Sequence, residues 1–246
     1  MGFGKIADYY YLLFDEVSRL KREEPFLSEI VMRFAPLPKV LDLACGTGLH
    51  ARFLANKGAN VTAVDISEEM LNFARKQYLP KNIYFVLGDL EHLPITGGWD
   101  VILCLGNSLC LLSSRDTIRA LFQHVSKLLV SGGMFLIQIL NYEHPEMRQI
   151  HTRCVNKSIG DKNVTVVKTL TPSERHIFLS ISYFITSEKM HEAVSEANVL
   201  QKIVKEELIR YADEVELSVQ NVFGDFQKNE FDPETSRDLI ILFFKG

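Results

Sequence analysis

Two glycines separated by one residue follow a short apolar run in the segment VLDLACGTGLHARFL, Val40–Leu54. The pattern predicts a strand that passes through the loop Gly46–Gly48 directly into a helix. Glycines let a ligand approach the backbone, and the free N–H groups of a helix N-terminus favour a carboxylate or a phosphate. Asp42 lies just before this loop, where a carboxylate repels a pyrophosphate but attracts an ammonium group. The segment therefore predicts a ligand-binding loop.

Two further acids stand at the ends of predicted strands. Asp65 ends the segment VTAVD, and in a nucleotide-binding sheet an acid at this place accepts hydrogen bonds from the ribose hydroxyls. Ser67 is the better candidate to cap the following helix, which leaves Asp65 for the ligand. Asp89, in LGDLEHLP, is placed to accept from an adenine amino group. These acids predict a ligand that carries an adenosyl group.

A dinucleotide is the alternative ligand. Gly46-x-Gly48-x-x-Ala51 satisfies the G-x-G-x-x-G/A fingerprint of NAD-binding proteins, and an acid follows it. The fingerprint alone does not separate NAD from an adenosyl ligand. The carboxylate of Asp42, the position of Asp89 and the long segment before the first strand favour the adenosyl ligand, so an NAD-dependent oxidoreductase is the second hypothesis.

The glycine loop and the acids at the strand ends can form one site only if the strands are parallel and their carboxyl ends share one edge of a sheet. Residues 38–140 alternate apolar strands with amphipathic helices, which predicts βαβ units and a parallel sheet covered on both faces. Strands are expected at 39–43, 60–64, 83–87, 99–105 and 134–140, and helices at 48–57, 68–78 and 114–129. A helical segment over 6–34 precedes them. Beyond residue 141, strands at 164–170, 175–186 and 192–204 predict an antiparallel insertion, followed by a helix at 205–213 and strands at 217–223 and 239–245.

The motif set Asp42-x-Ala44-Cys45-Gly46-Thr47-Gly48, with Asp65, Gly88-Asp89 and the apolar strand 99–105, resembles that of class I S-adenosylmethionine (SAM) dependent methyltransferases. The resemblance implies SAM as cofactor and S-adenosylhomocysteine (SAH) as product. It implies a doubly wound, Rossmann-like α/β fold with a mostly parallel seven-stranded sheet, an antiparallel final strand and a small antiparallel β insertion. It also implies these contacts: Gly46–Gly48 with the methionyl part, Asp65 with the ribose, Ile66 and Met70 beside the adenine, Asp89 and Leu90 at its amino group, and Leu105 and Gly106 beneath the sulfonium.

A narrower resemblance, to the glycine and sarcosine N-methyltransferase group, rests on three segments: CLGNS at 104–108, NYE at 141–143 and FGDF at 223–226. In that group the N-terminal segment supplies a tyrosine and a basic residue to the methionyl carboxylate. The candidates here are Tyr10 or Tyr11 for the tyrosine, and Arg22 or Lys21 for the basic residue.

The same resemblance suggests the acceptor side of the site. Asn107 is the candidate for positioning the substrate in catalysis, and Asn141 and Tyr142 are candidates for binding it. Leu140 stands where the glycine-specific enzymes carry an arginine. Because leucine cannot pair with a carboxylate, we expect poor methylation of glycine.

The composition excludes several classes. With 27 Lys and Arg against 31 Asp and Glu, the net charge is -4, which argues against nucleic acid as a partner. No apolar run is long enough for a membrane span, and neither the four cysteines nor the seven histidines show metal-binding spacing. Free thiols predict a cytoplasmic protein. No metal is expected, and the oligomeric state is left open.

We therefore expect a single domain, 1–246, that transfers a methyl group from SAM to a small molecule, preferably an amine. Its parts are an N-terminal helical cover (1–37), a cofactor-binding core (38–140), an insertion roofing the substrate site (141–205) and the C-terminal end of the core (206–246). A methyltransferase of the same fold acting on protein or RNA is less favoured, because no basic surface is apparent. A non-enzymatic SAM-binding module is the third hypothesis.

Overall fold

The structure is a computed structural model that describes residues 7–10, 12, 15–77 and 80–246. Its helices are α1 (Ala7–Tyr10), α2 (Glu16–Met32), α3 (Leu49–Asn56), α4 (Glu68–Lys76), α5 (Arg115–Leu128) and α6 (Lys205–Asp213). Its strands are β1 (Lys39–Leu43), β2 (Asn60–Asp65), β3 (Ile83–Leu87), β4 (Trp99–Cys104), β5 (Leu129–Leu140), β6 (His151–Ile159), β7 (Lys162–Pro172), β8 (His176–Ser187), β9 (Met190–Gln201), β10 (Leu217–Phe223) and β11 (Asp238–Lys245).

Seven strands form the central sheet in the order β10-β11-β5-β4-β1-β2-β3. Strands β1 to β5 pair in parallel, and β11 runs antiparallel to both β5 and β10. Six strands are therefore parallel and the final strand, β11, is antiparallel. This arrangement confirms the predicted fold class.

The strands are apolar on both sides because both faces of the sheet are covered. Along β1, Leu41 and Val40 belong to two different buried clusters, one on each face. On one side Phe122 of α5 packs edge-on against Phe135 of β5 and Phe243 of β11. On the other side α2 packs its apolar stripe, which includes Leu27, against α3. The two layers hold the carboxyl ends of β1 to β4 at one edge.

The insertion is a four-stranded antiparallel sheet, β6-β7-β8-β9, where the sequence analysis expected three strands. The missed strand is β6, His151–Ile159. Its sequence, HTRCVNKSI, lacks an apolar face because it lies at the edge and is mostly exposed. The backbone pairing with β7, from His151 with Leu170 to Ile159 with Lys162, defines it instead.

Strand β5 also begins earlier than predicted, at Leu129 rather than Met134. The segment Ser131-Gly132-Gly133 has the composition of a turn, but Leu129 pairs with Trp99 of β4. A register shift in β4 between Trp99 and Val101 accommodates the additional residues.

Candidate functional site

A cavity of about 1000 Å³, here called the main cavity, opens at the carboxyl ends of β1 to β4. The loops that follow these strands form its floor. Helix α2 and the segment 224–238 form its walls, and the inner face of β7, β8 and β9 forms its roof. Ligands of open α/β sheets bind at this edge. The main cavity is therefore the candidate functional site.

The two glycines of the loop after β1 differ in their surroundings. Both have a positive φ, +55° at Gly46 and +73° at Gly48. A Cβ built on Gly46 meets nothing within 4 Å, whereas one built on Gly48 lies 3.0 Å from the ring of Phe85. Gly46 therefore leaves space for a ligand in the main cavity, and Gly48 allows the loop to pack against β3.

This difference gives the first prediction. Gly48→Ala is expected to lower the free energy of unfolding by about 2–4 kcal/mol, since it adds a contact with Phe85 to the left-handed backbone penalty. Gly46→Ala carries only that penalty, about 1–2 kcal/mol, and is the matched control. Urea unfolding of the two variants measures the difference. An equal loss for both would show that the contact with Phe85 is unimportant.

Asp65 joins the glycine loop to the start of α4. It is only 8% exposed, its Oδ2 accepts from the Gly46 N–H at 2.8 Å, and its Oδ1 accepts from the Ser67 N–H at 2.9 Å. Burial raises the pKa of this carboxyl group, and the backbone N–H donors oppose the shift. Each carboxylate oxygen has two acceptor sites. The carboxylate therefore keeps acceptor capacity, beyond these backbone donors, for a hydroxyl group in the main cavity.

The predicted adenine region is assembled at the ends of β2 and β3. Ile66, Met70, Asp89 and Leu90 all line the main cavity. The carboxylate of Asp89 accepts from the Glu91 N–H at 2.9 Å and caps a short 3₁₀ turn. That bond orients the carboxylate and leaves acceptor capacity for an amino group.

Three predicted cofactor residues do not line the main cavity: Asp42, Gly48 and Gly88. Asp42 lies behind the glycine loop, is 1% exposed, and its Oδ2 has no hydrogen-bond partner among the described residues. Burial raises its pKa to about 6. A Cβ on Gly88 would lie 2.9 Å from Cδ of Pro94. These three positions therefore lie behind the lining of the main cavity, and direct contact with a cofactor stays a prediction for them.

Helix α2 is tied to the glycine loop by polar contacts. Thr47 Oγ1 donates to Glu16 Oε1 at 3.1 Å, and His50 Nε2 lies 2.5 Å from Glu23 Oε2. Arg19 Nε donates to Glu23 Oε1 at 2.9 Å. Although burial raises the pKa of Glu23, bonds and charges from His50 and Arg19 outweigh it and lower the pKa. The carboxylate of Glu23 therefore links α2 to His50 of α3 and holds Arg19, which lines the main cavity.

The N-terminal candidates are resolved in part. Tyr10 and Arg22 line the main cavity, as Ala44 and Thr47 do, and Lys21 does not. Tyr11 lies outside the described residues. Arg19, which the sequence analysis missed, also lines the cavity, and its Nη2 is 3.4 Å from the place of a Cβ on Gly106. A sequence signal for Arg19 was available, because it lies four residues before Glu23, the spacing at which opposite charges pair on one face of a helix.

The loop after β4 is held by β5. Leu105, Gly106 and Asn107 line the main cavity, and the last two have positive φ. The Gly106 N–H donates to Gln138 Oε1 at 2.7 Å, while Gln138 Nε2 donates to Asp238 Oδ1 at 2.8 Å. Gln138 and Asp238 lie on adjacent strands but far apart in sequence, so no local pattern identified them.

Asn107 uses its side-chain oxygen to hold the same loop. Its Oδ1 accepts from the Leu140 N–H at 3.0 Å and from the Tyr142 hydroxyl at 2.9 Å. Asn107 therefore connects the end of β4 to the end of β5 at the edge of the main cavity.

Asn141 and Tyr142, the predicted substrate-binding residues, do not line the main cavity, but Asn141 lines a smaller cavity beside it. Asn141 is 1% exposed, and its Nδ2 donates to the carbonyl oxygens of Pro233 and Ser236. Tyr142 is buried and bonded to Asn107. Both side chains position neighbouring segments, and Leu140, just before them, is the residue that lines the cavity.

Within the described ranges, no helix is both long and apolar enough to cross a membrane. No group of three His, Cys, Asp or Glu side chains in that part of the chain is arranged to hold a metal ion.

Comparisons with known proteins agree with this geometry. Residues 40–133 match the family model of a methyltransferase domain. Glycine N-methyltransferase of Oryctolagus cuniculus is 31% identical over 123 residues, 43% of this chain and 42% of that protein. The chain thus spans less than half the length of this curated relative.

Solved structures extend the likeness in fold to almost the whole chain. A SAM-dependent methyltransferase from Clostridium acetobutylicum has a TM-score of 0.79 at 22% identity, covering 97% of this chain and 98% of that one. SAM-bound CalS10, an amino pentose methyltransferase from Micromonospora echinaspora, has a TM-score of 0.72 at 18% identity, covering 96% and 98%.

The match over residues 40–133 and the fold support one class: this part of the chain matches a methyltransferase domain, the fold is shared with SAM-dependent methyltransferases, and the comparisons support SAM as the cofactor. The predicted resemblance is confirmed, and SAM is favoured over the dinucleotide.

Proposed function

We propose that this chain transfers the methyl group of SAM to the nitrogen of a small amine. The observation that carries the proposal is the four-stranded insertion, whose inner face roofs the carboxyl edge of the sheet. The main cavity, at about 1000 Å³, is at the upper end of the range for small-molecule sites. It has room for a cofactor at the sheet edge and for a small acceptor beneath the roof.

In this proposal the cofactor lies along the ends of β1 to β4. Gly46 and Thr47 face its methionyl part, and Asp65 accepts from the ribose hydroxyls. Arg19, beside Gly106, is the cation placed for the methionyl carboxylate, with Arg22 as a second. A guanidinium pairs with a carboxylate through two parallel hydrogen bonds. SAM supplies an activated methyl group, so the protein's contribution is orientation and exclusion of water.

The acceptor region is apolar. Leu140, Leu170, Leu179, Ile181 and Leu200 line this side of the main cavity. Such surroundings disfavour the charged form of an amine and lower its pKa. A neutral amine attacks in line with the bond from sulfur to the methyl carbon, and its proton is lost to solvent afterwards. The glycine N-methyltransferase relative supports an amine as acceptor.

The direct test is release of SAH from SAM over pooled small amines, with glycine and sarcosine assayed separately. We expect turnover in at least one pool and little with glycine, because Leu140 offers no partner for its carboxylate. Calorimetric binding of SAH is the control. Binding without turnover on any amine would contradict the proposal and favour a macromolecular acceptor or a non-enzymatic SAM-binding module.

Asn107→Ala is expected to reduce kcat by about 10–100-fold, with SAH affinity unchanged within about twofold. The variant leaves the buried Tyr142 hydroxyl without its acceptor, a loss of about 1–3 kcal/mol in the loop beside the reacting atoms. Asn107→Gly keeps the left-handed backbone and isolates the side-chain effect. Tyr142→Phe removes one of the two bonds and is expected to have a smaller effect. Loss of SAH binding in the glycine variant would instead assign Asn107 to the cofactor.

A further inference from the structure

A second, smaller cavity of about 220 Å³ adjoins the main cavity beside the edge of the insertion. We call it the side cavity. It shares four lining residues with the main cavity, so the two spaces meet at a common wall: Leu140, Lys168, Leu170 and Arg237. A molecule whose amine lies beneath the roof can therefore extend into the side cavity.

The side cavity is rich in positive charge, although the whole chain is acidic. Its lining contains three Lys or Arg side chains, Arg153, Lys168 and Arg237, against one acid, Glu146. Glu146 lies 3.8 Å from Arg237 and 3.5 Å from His151 at the rim. Arg153 on β6 and Lys168 on β7 also line the side cavity, and Arg153 is exposed at the edge of the sheet.

Arg153 and Lys168 are directly opposite each other in the antiparallel ladder. Side chains opposed in this way lie on the same face within a few ångströms, and like charges there are destabilising. Arg153 makes no ion pair with any residue in the described part of the chain. Burial lowers the pKa of Lys168, and the charges of Arg153 and Arg19 lower it further. Two cations opposed at a cavity wall would be stabilised by an anion bound between them.

We propose that the side cavity is an anion subsite of the acceptor site, in which Arg153 and Lys168 bind a carboxylate or phosphate group. The acceptor is then a small molecule with an amine at one end, an apolar middle against Leu140 and Leu170, and an anionic group at the other end. This substrate class rests on the proposed methyltransferase function, but the anion subsite can be tested without turnover.

The first experiment measures the melting temperature of the SAH-saturated protein with sodium phosphate or sodium acetate, using chloride to keep ionic strength constant. An anion that binds the native state raises the melting temperature, by about 2–4 °C near five times its Kd. We expect a rise with at least one of the two anions and its loss in R153Q K168Q. The control R175Q K189Q removes one arginine and one lysine from exposed positions on the same insertion, away from both cavities. Equal shifts in all three proteins, or no shift in the wild type, would overturn the subsite.

The variant R153Q K168Q removes opposed like charges, so it is expected to fold. Its melting temperature without added anion, compared with that of the wild type, checks this directly. If the double variant is less stable, the single variant Arg153→Gln, at an exposed edge position, carries the same test.

The second experiment uses matched amines in which an apolar chain separates the amine from the other group: amino acids of this kind against the amines that lack the carboxyl group, and amino alcohols against their phosphate esters. We expect turnover to favour the anionic member, and R153Q K168Q to raise its KM at least about tenfold with the KM for SAM unchanged. The carboxylate and phosphate pairs identify which anion is bound. Equal or better turnover of the neutral members would overturn the proposed substrate class. Anion binding without turnover of any amine would support the subsite and contradict only the methyltransferase proposal.

Discussion

Replacement of Asp65 by alanine is expected to weaken SAH binding by about 1–3 kcal/mol, or roughly 5–150-fold, as measured by calorimetry. Two effects contribute to the loss. The carboxylate would no longer accept from the two ribose hydroxyls. It would also no longer accept from the Gly46 N–H, so the glycine loop would lose the bond that orients it toward the ligand.

Two further variants separate these effects. Asp65→Asn keeps one side-chain oxygen as an acceptor and is expected to bind SAH with intermediate affinity. Glu68→Ala removes an exposed acid from the first turn of α4 and should leave binding unchanged. Unchanged affinity in the Asp65→Ala variant would remove Asp65 from the ribose role.

Asp42→Asn is expected to alter how stability depends on pH. The pKa of Asp42 is about 6 in the folded protein, against 3.8 for an ordinary aspartate, because the carboxyl group is buried. Between these values the folded state keeps a proton that the unfolded state has lost, so stability falls as pH rises. The loss is complete above about pH 6 and is on the order of 3 kcal/mol. Below about pH 4 both states are protonated and the effect vanishes.

An asparagine at this position stays neutral, so the variant should lack this decline. Urea unfolding at pH 4 and pH 7.5 measures it, and the expected result is that the variant gains stability relative to the wild type between the two pH values. The asparagine side chain in this variant is a buried amide with an unpartnered atom, and its cost in stability is the same at both pH values. Comparing the change in stability between the two pH values therefore cancels this cost. Asp161→Asn, at an exposed turn, is the control and should follow the wild type. Parallel curves for Asp42→Asn and wild type would contradict a raised pKa.

Local sequence determined the cofactor half of the site to a large extent. The glycine loop, Asp65 and Asp89 each follow a buried strand directly, so the strand pattern alone places them at one edge of the sheet. The same reasoning predicted cofactor contacts for Asp42, Gly48 and Gly88, which do not line the main cavity. A motif identifies a loop, but whether a residue in it faces the ligand or the layer beneath depends on packing against elements such as Phe85 and Pro94.

The acceptor half depended on tertiary structure. Gln138 and Asp238 are 100 residues apart, yet adjacent strands bring them together beneath Gly106. Strand β6 has no apolar face, because an edge strand can be held by backbone hydrogen bonds alone. Only that pairing sets Arg153 opposite Lys168. The sequence by itself therefore indicated the class of the domain and most of the residues that line the predicted cofactor site, because these residues are close together in the chain. The roof, the main cavity and its neighbouring cations were decided by strand pairing between distant segments, because their side chains become neighbours only when the insertion folds over the sheet.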